Sequence, residues 1–300
     1  MLRQVGRFGD FKVAAYVGRA LWDDFFVALL LCLATINVNK TIAAEVAPEI
    51  LLPMLGIAVS IFTSFRNSQA YSRWWEARTL WGALVNQSRN WRDNLYGLLG
   101  EGEQAQAVLQ PLLERQVMLM WALNNELRDR PQRYAVQALE RISRTSQQRS
   151  DLSTQALLVE QSLAVAWLCR EGQISEFGRL QLMRVLDEIC NAIGGCEKVR
   201  NQPFPAAYDA FIRVSIWIYG FLLYIRMDAS YEPWGALVGY LMMLGFITAE
   251  RLGAYIEAPF FGPVFALPMN RFCATITKSL LGGDHPLAVP PEAEGSTLWT

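Results

Sequence analysis

The chain of 300 residues contains a single histidine, His285, close to its C-terminus. That scarcity removes histidine-based metal centres, Ser-His-Asp triads and Cys-His dyads as organising ideas. Cysteine is sparse and odd in number: Cys32, Cys169, Cys190, Cys196 and Cys273, with no C-x-x-C pair. These five are read as reduced, buried small hydrophobes rather than a disulfide frame or a metal clip. Neither a G-x-x-x-x-G-K-[ST] nor a G-x-G-x-x-G string occurs, so nucleotide binding has no local support. A net charge of −1 provides no basic excess, and nucleic acid drops out as a partner. Charge itself is scarce, at 18% of residues against about 25% in an ordinary soluble domain. What fills the space is apolar: 52% hydrophobic residues and a mean hydropathy of +0.16.

The apolar excess is concentrated in four stretches, about 21–38, 50–65, 206–225 and 234–249. Each approaches the roughly 17–25 residues that a spanning helix needs, and aromatic flanks extend them. Four such runs grouped as two hairpins are hard to bury in a soluble chain of this length, so four transmembrane helices are expected. The N-terminus does not read as a signal peptide, because Arg3, Arg7, Asp10, Lys12 and Arg19 interrupt it. Of the 27 Lys and Arg residues, 17 fall in Arg66–Pro203 and four in residues 1–24. The positive-inside rule therefore places both termini and the long middle segment in the cytoplasm.

Residues 67–203 are polar and amphipathic, and no alternating strand pattern of any length is present, so the class is all-α. The second apolar helix is expected to continue without a break into the cytoplasmic region. Further helices are expected at about 104–128, 133–146, 152–171 and 175–194. Gly172 separates the last two, Ser175 caps the later one, and Gly194-Gly195 closes it. The expected organisation is 1–66 with two membrane helices, 67–203 a cytoplasmic helical region, 204–258 two more membrane helices, and 259–300 a cytoplasmic segment whose tail after Gly282 is loose.

Within the second membrane helix, Ile57, Ile61 and Phe65 recur at i, i+4, i+8 and share one face. Gly56, Ser60 and Ser64 make a ladder of small residues beside them, the pattern that lets helices pack closely in lipid. The bulky stripe faces either lipid or a central axis, where it would form an apolar constriction gating by dewetting. Asp209 and Arg213 lie at i, i+4 in the third helix and can pair with each other, as a structural pair or an ion relay. Gly235 and Gly239 form a G-x-x-x-G packing signal in the fourth. The dense run Trp74, Trp75, Trp81, Trp91 fits helix packing or an interfacial belt better than a ligand box. Glu76 with Arg78 and Glu114 with Arg115 are read as surface charges, and no residue is assigned catalysis.

Three strings together resemble the bestrophin family of ion channels, in particular its bacterial members: LGIAVSIFTSFRNSQAYSRWWEARTLWG at 55–82, IGGCEKVRNQPFPAAY at 193–208 and AERLGAYIEAPFFG at 249–262. The resemblance covers roughly 1–280 and implies a homopentamer in the inner membrane, in contact with lipid, with one axial pore. It implies that Ile57, Ile61 and Phe65 line a hydrophobic neck, and that Phe177, with Ile174 second, forms a cytoplasmic aperture. Animal members bind Ca²⁺ through an acidic run after a P-F-G string. Here Pro259-Phe260-Phe261-Gly262 leads into a stretch without Asp or Glu up to Gly283, so no Ca²⁺ clasp and no cofactor are expected. The bacterial resemblance implies passage of monovalent cations such as Na⁺. The alternative is a chloride channel of the same fold, followed by a secondary transporter or a membrane-anchored interaction protein. An enzyme is not expected.

Overall fold

The computed structural model describes residues 15, 17–34, 50–146, 149, 151–230, 234–261 and 265–289. Among these residues the secondary structure is helical, with no strand. In chain order the helices are α1 Trp22–Ala34, α2 Leu51–Leu99, α3 Glu103–Glu126, α4 Arg133–Thr145, α5 Thr154–Arg170, α6 Glu176–Asn201, α7 Ala206–Ser230, α8 Gly235–Ile256 and α9 Met269–Leu281. The chain divides into two compact units, one of residues 1–74 and 203–258 and one of residues 75–202 and 259–300.

Helix α2 runs unbroken for 49 residues, as the lack of any stop signal between Phe65 and Asn67 predicts. Pro53 does not break it, because a proline in the first turn removes an N–H that has no helical acceptor in any case. Its buried residues in the first unit are Leu52, Gly56, Val59, Thr63, Arg66 and Ala70, a single stripe at alternating steps of four and three.

In that unit α1, α2, α7 and α8 close on a core that includes Ala28, Leu52, Val59, Ile212, Ile216, Tyr219, Met243 and Ile247. The Tyr224 hydroxyl donates to the Cys32 carbonyl at 3.1 Å, and the Tyr240 hydroxyl to that of Phe25 at 3.1 Å. The glycines expected as packing points serve that purpose. A Cβ on Gly239 would lie 2.9 Å from the Tyr224 Cα, and one on Gly235 would lie 2.1 Å from the Met227 carbonyl oxygen. Gly56 makes the same close approach to the Tyr219 side chain, whereas Ser60 and Ser64 are exposed, so only the first rung of the small-residue ladder is a packing contact. Gly239→Leu is accordingly expected to destabilise the unit by at least the ~1–3 kcal/mol of an overpacked core. Thermal unfolding in detergent checks this against Gly245→Leu, where a Cβ meets nothing within 4 Å.

Two helices are long and apolar enough to cross a membrane, Ala206–Asp228 and Gly235–Ile256, matching the third and fourth expected spans. Only 33% and 28% of their most apolar windows is buried, so their exposed faces need a nonaqueous partner. The first two expected spans do not reach that length among the described residues. Helix α1 covers 13 residues, and the apolar part of α2 ends where Arg66 begins.

In the second unit, Ser153 and Ser175 cap α5 and α6, their hydroxyls accepting from the Ala156 and Gly178 N–H groups at 3.2 Å. Gly172, at φ +71°, turns the chain between them. The expected stop at Gly194-Gly195 is not one. Helix α6 passes through both residues to Asn201 because Gly195 is a crossing point, where a Cβ would lie 2.7 Å from Leu80 Cδ2. The effective terminator is Pro203, whose ring disfavours a helical residue before it. Trp81 and Trp91 are fully buried, Trp81 stacking on Phe272 at 5.7 Å, while Trp75 is exposed. The segment after Gly282 is not loose from its start, since Leu287 and Ala288 are buried.

The five cysteines are free, but not all are buried: Cys190 is exposed and Cys169 partly so. Burial pushes the Cys196 thiol up to about 12 and raises that of Cys273 as well. Since the thiolate is the nucleophile, a maleimide or disulfide reagent at pH 8 is expected to modify Cys190 first and to spare Cys196 and Cys273 until denaturant is added. Peptide mapping of the labelled protein checks the order.

Candidate functional site

Ile57, Ile61 and Phe65 form one stripe on α2, and all three are exposed, at 63%, 49% and 62%. They lie on the side of the helix away from its buried stripe, flanked by exposed Ser60 and Ser64. An isolated protomer leaves this apolar face uncovered. Of the two aperture candidates, Phe177 at the start of α6 is 84% exposed. Ile174 is only 6% exposed, and its Cβ lies against Gly178, so it supports the turn rather than presenting a side chain outward. The P-F-G string is described only as far as Phe261, and Gly262, Pro263 and Val264 lie outside the described residues.

Immediately after Phe65 comes a charged residue that composition and spacing had assigned only to topology. Arg66 is 2% exposed and occupies an apolar register of α2. Its Nε donates to Asp209 Oδ1 at 2.8 Å, its Nη1 to the Glu250 carbonyl at 3.3 Å, and its Nη2 reaches Glu257 Oε2 at 3.4 Å. The expected partner of Asp209, Arg213, is also present, donating from Nη2 to Oδ2 at 3.1 Å. Arg213 Nε in turn lies 3.6 Å from Glu250 Oε1. Arg251 lies 3.6 Å from the other Glu250 oxygen and makes a two-pronged pair with Asp24 at 2.7 and 2.6 Å. Glu257 also accepts the Phe204 N–H at 3.0 Å.

The result is one lattice of three guanidiniums and four carboxylates that ties α1, α2, α7 and α8 together. Burying charge is costly unless each ion is paired and hydrogen-bonded, and here nearly every fork finds a carboxylate. Next to it, Asn67 Nδ2 donates to the Ala249 carbonyl at 3.1 Å. Gly253 is required at this point, since a Cβ there would lie 1.9 Å from Asn67 Oδ1. Asp209–Arg213 was visible as an i, i+4 pair. Arg66 is the residue missed, and the signal that could have found it is its place in the 52, 56, 59, 63, 66, 70 buried stripe. Among the described residues no cluster of three His, Cys, Asp or Glu could hold a metal ion.

Two apolar helices of spanning length with largely exposed faces, and an uncovered apolar stripe on the longest helix, fit an integral membrane protein. The chain belongs to the bestrophin family: the family described as Bacterial/Fungal Bestrophin protein matches residues 11–282. Among curated relatives, a voltage-dependent anion channel-forming protein of Ralstonia nicotianae is 29% identical over 213 residues, covering 69% of this chain and 68% of the relative. The voltage-dependent anion channel-forming protein YneE of Escherichia coli is 26% identical over 240 residues, covering 79% and 77%. Among solved structures, the bestrophin homologue from Klebsiella pneumoniae superposes with a TM-score of 0.73 at 25% identity, covering 87% of this chain and 98% of that one. A point variant of that homologue reaches a TM-score of 0.76 at 24% identity. The fold and family are those of ion channels rather than enzymes.

Proposed function

We propose that the chain forms a homopentameric ring in the inner membrane and conducts monovalent anions such as chloride passively through one axial pore. Each protomer contributes α1, the first part of α2, α7 and α8 as four spans, and both termini lie in the cytoplasm. Ile57, Ile61 and Phe65 converge as a hydrophobic neck, and Phe177 forms a second ring in the cytoplasmic region. The observation that carries this proposal is the exposed Ile57–Ile61–Phe65 stripe, which ends at an arginine anchored to α7 and α8. Such a stripe needs a partner surface, and symmetry around an axis provides one from identical copies.

The expectation of Na⁺ selectivity gives way to anions because the curated relatives are named as anion channel-forming proteins. An apolar neck bears no formal charge that would select a sign, so the neck residues themselves favour neither ion. The test is the reversal potential of the purified protein in a planar bilayer under an NaCl gradient. A value near the Cl⁻ equilibrium potential is expected. A value near that of Na⁺ would restore the cation reading, and a silent, well-folded oligomer would remove conduction altogether.

A further inference from the structure

The second unit contains an open cavity of about 600 Å³ that has no part in the conduction proposal. Its wall is Arg89 from α2, together with Arg271, Thr275, Lys278 and Ser279 from α9, and its floor is Ala274 and Ala288. The α9 residues fall at i, i+4, i+7 and i+8, which places them on one helix face. The opposite face carries Cys273, Ile276, Thr277 and Leu280, all buried, so packing of α9 holds the polar face outward. Both floor residues are buried alanines, and their small size leaves the depth of the cavity open.

Three cations meet in this space, and no carboxylate among the described residues pairs with any of them. Arg89 Nε donates to Ser279 Oγ at 3.4 Å. Arg92, one turn further along α2, makes the contrast: it is already committed to Asp93 Oδ1 at 2.8 Å and to the Ser279 carbonyl. The Thr275 and Ser279 hydroxyls donate to their own helix at 2.8 and 2.9 Å, so anion recognition falls to the three cationic heads. Like charges gathered in one cavity repel each other, and an anion placed among them relieves that repulsion while gaining charge-assisted hydrogen bonds. The size of the cavity and the three heads suit more than one phosphoryl group. No apolar lining residue is larger than alanine, so nothing seats a lipid chain.

We propose that this cavity binds a soluble oligophosphate-class anion through Arg89, Arg271 and Lys278. The probe is inorganic tripolyphosphate, titrated calorimetrically into the full-length protein in detergent, without divalent metal, at low and at physiological ionic strength. Saturable binding is expected, one anion per chain and weaker at the higher ionic strength. Arg271→Gln/Lys278→Gln and, separately, Arg89→Gln are each expected to weaken it about tenfold or more. Arg170→Gln, an exposed charge outside the cavity, is expected to leave it unchanged. The ligand-free melting temperature of each variant is measured alongside. If the α9 double variant melts early, Arg89→Gln on the other helix decides the outcome. No binding by the parent protein, equal affinity in the Arg89 variant, or an equal loss with Arg170→Gln would each overturn the site. Because the readout is binding, it does not depend on whether the protein conducts.

Discussion

Ile61→Ala is expected to raise single-channel conductance roughly twofold or more, because the middle ring of the proposed neck becomes wider and easier to wet. Ile61 lies between Ile57 and Phe65 on the exposed face of α2 and is 49% exposed in the protomer. Its truncation therefore leaves no cavity in the core of the subunit, and the yield of folded protein is expected to stay close to that of the parent. Ile57→Ala and Phe65→Ala are expected to act in the same direction. Val59→Ala, in the buried stripe on the opposite side of α2 and 6% exposed, is expected to act on stability instead. Planar-bilayer recording of the four variants separates the two effects. An Ile61→Ala channel with unchanged or smaller unitary current would place the stripe against lipid and remove the neck.

The second large effect concerns the anchor below that neck. Asp209→Asn is expected to destabilise the protein by about 3–5 kcal/mol, the cost of leaving a buried guanidinium without its principal counter-charge. Arg66 is 2% exposed, and its remaining contacts are the Glu250 carbonyl at 3.3 Å and Glu257 at 3.4 Å. Glu257→Gln provides the comparison. That contact is longer, and a glutamine oxygen still accepts the Phe204 N–H, so a loss of about 1 kcal/mol is expected. Melting temperatures and size-exclusion profiles in detergent report both variants. Equal melting of Asp209→Asn and the parent would mean that Arg66 is neutralised by something other than Asp209. Because Arg66 follows Phe65 directly, the pair also bears on the neck: the same residue that ends the apolar stripe holds α2 against α7.

Local chemistry was legible along the chain. Ser153 and Ser175 read as helix starts, Gly172 as the turn between two helices, and Gly235 with Gly239 as packing points, because caps, positive φ and close approach each demand particular residue types within a few positions. The same kind of reading failed at Gly194-Gly195. A glycine pair that ends a helix and one that lets another helix cross look alike until the position of Leu80 is known. Nor did spacing distinguish Ile174 from Phe177: the first is buried and the second exposed, since three residues along a capped turn reverse the direction of a side chain. Asp209 with Arg213 was legible as a pair. Arg66 was not, although its register among Leu52, Gly56, Val59, Thr63 and Ala70 marks it as buried, because its partner Asp209 stands 143 residues away in sequence.

By itself the sequence determined the helical class, the apolar stretches, the unbroken α2 and the single-face stripe of Ile57, Ile61 and Phe65, all of which follow from composition and from a period of 3.6 residues. Only the tertiary structure decided which charges share one lattice, which glycines are contacts rather than caps, and which cations line one cavity together. Those properties depend on residues far apart in the chain meeting across packed helices, and periodicity within one helix holds no information about its neighbour.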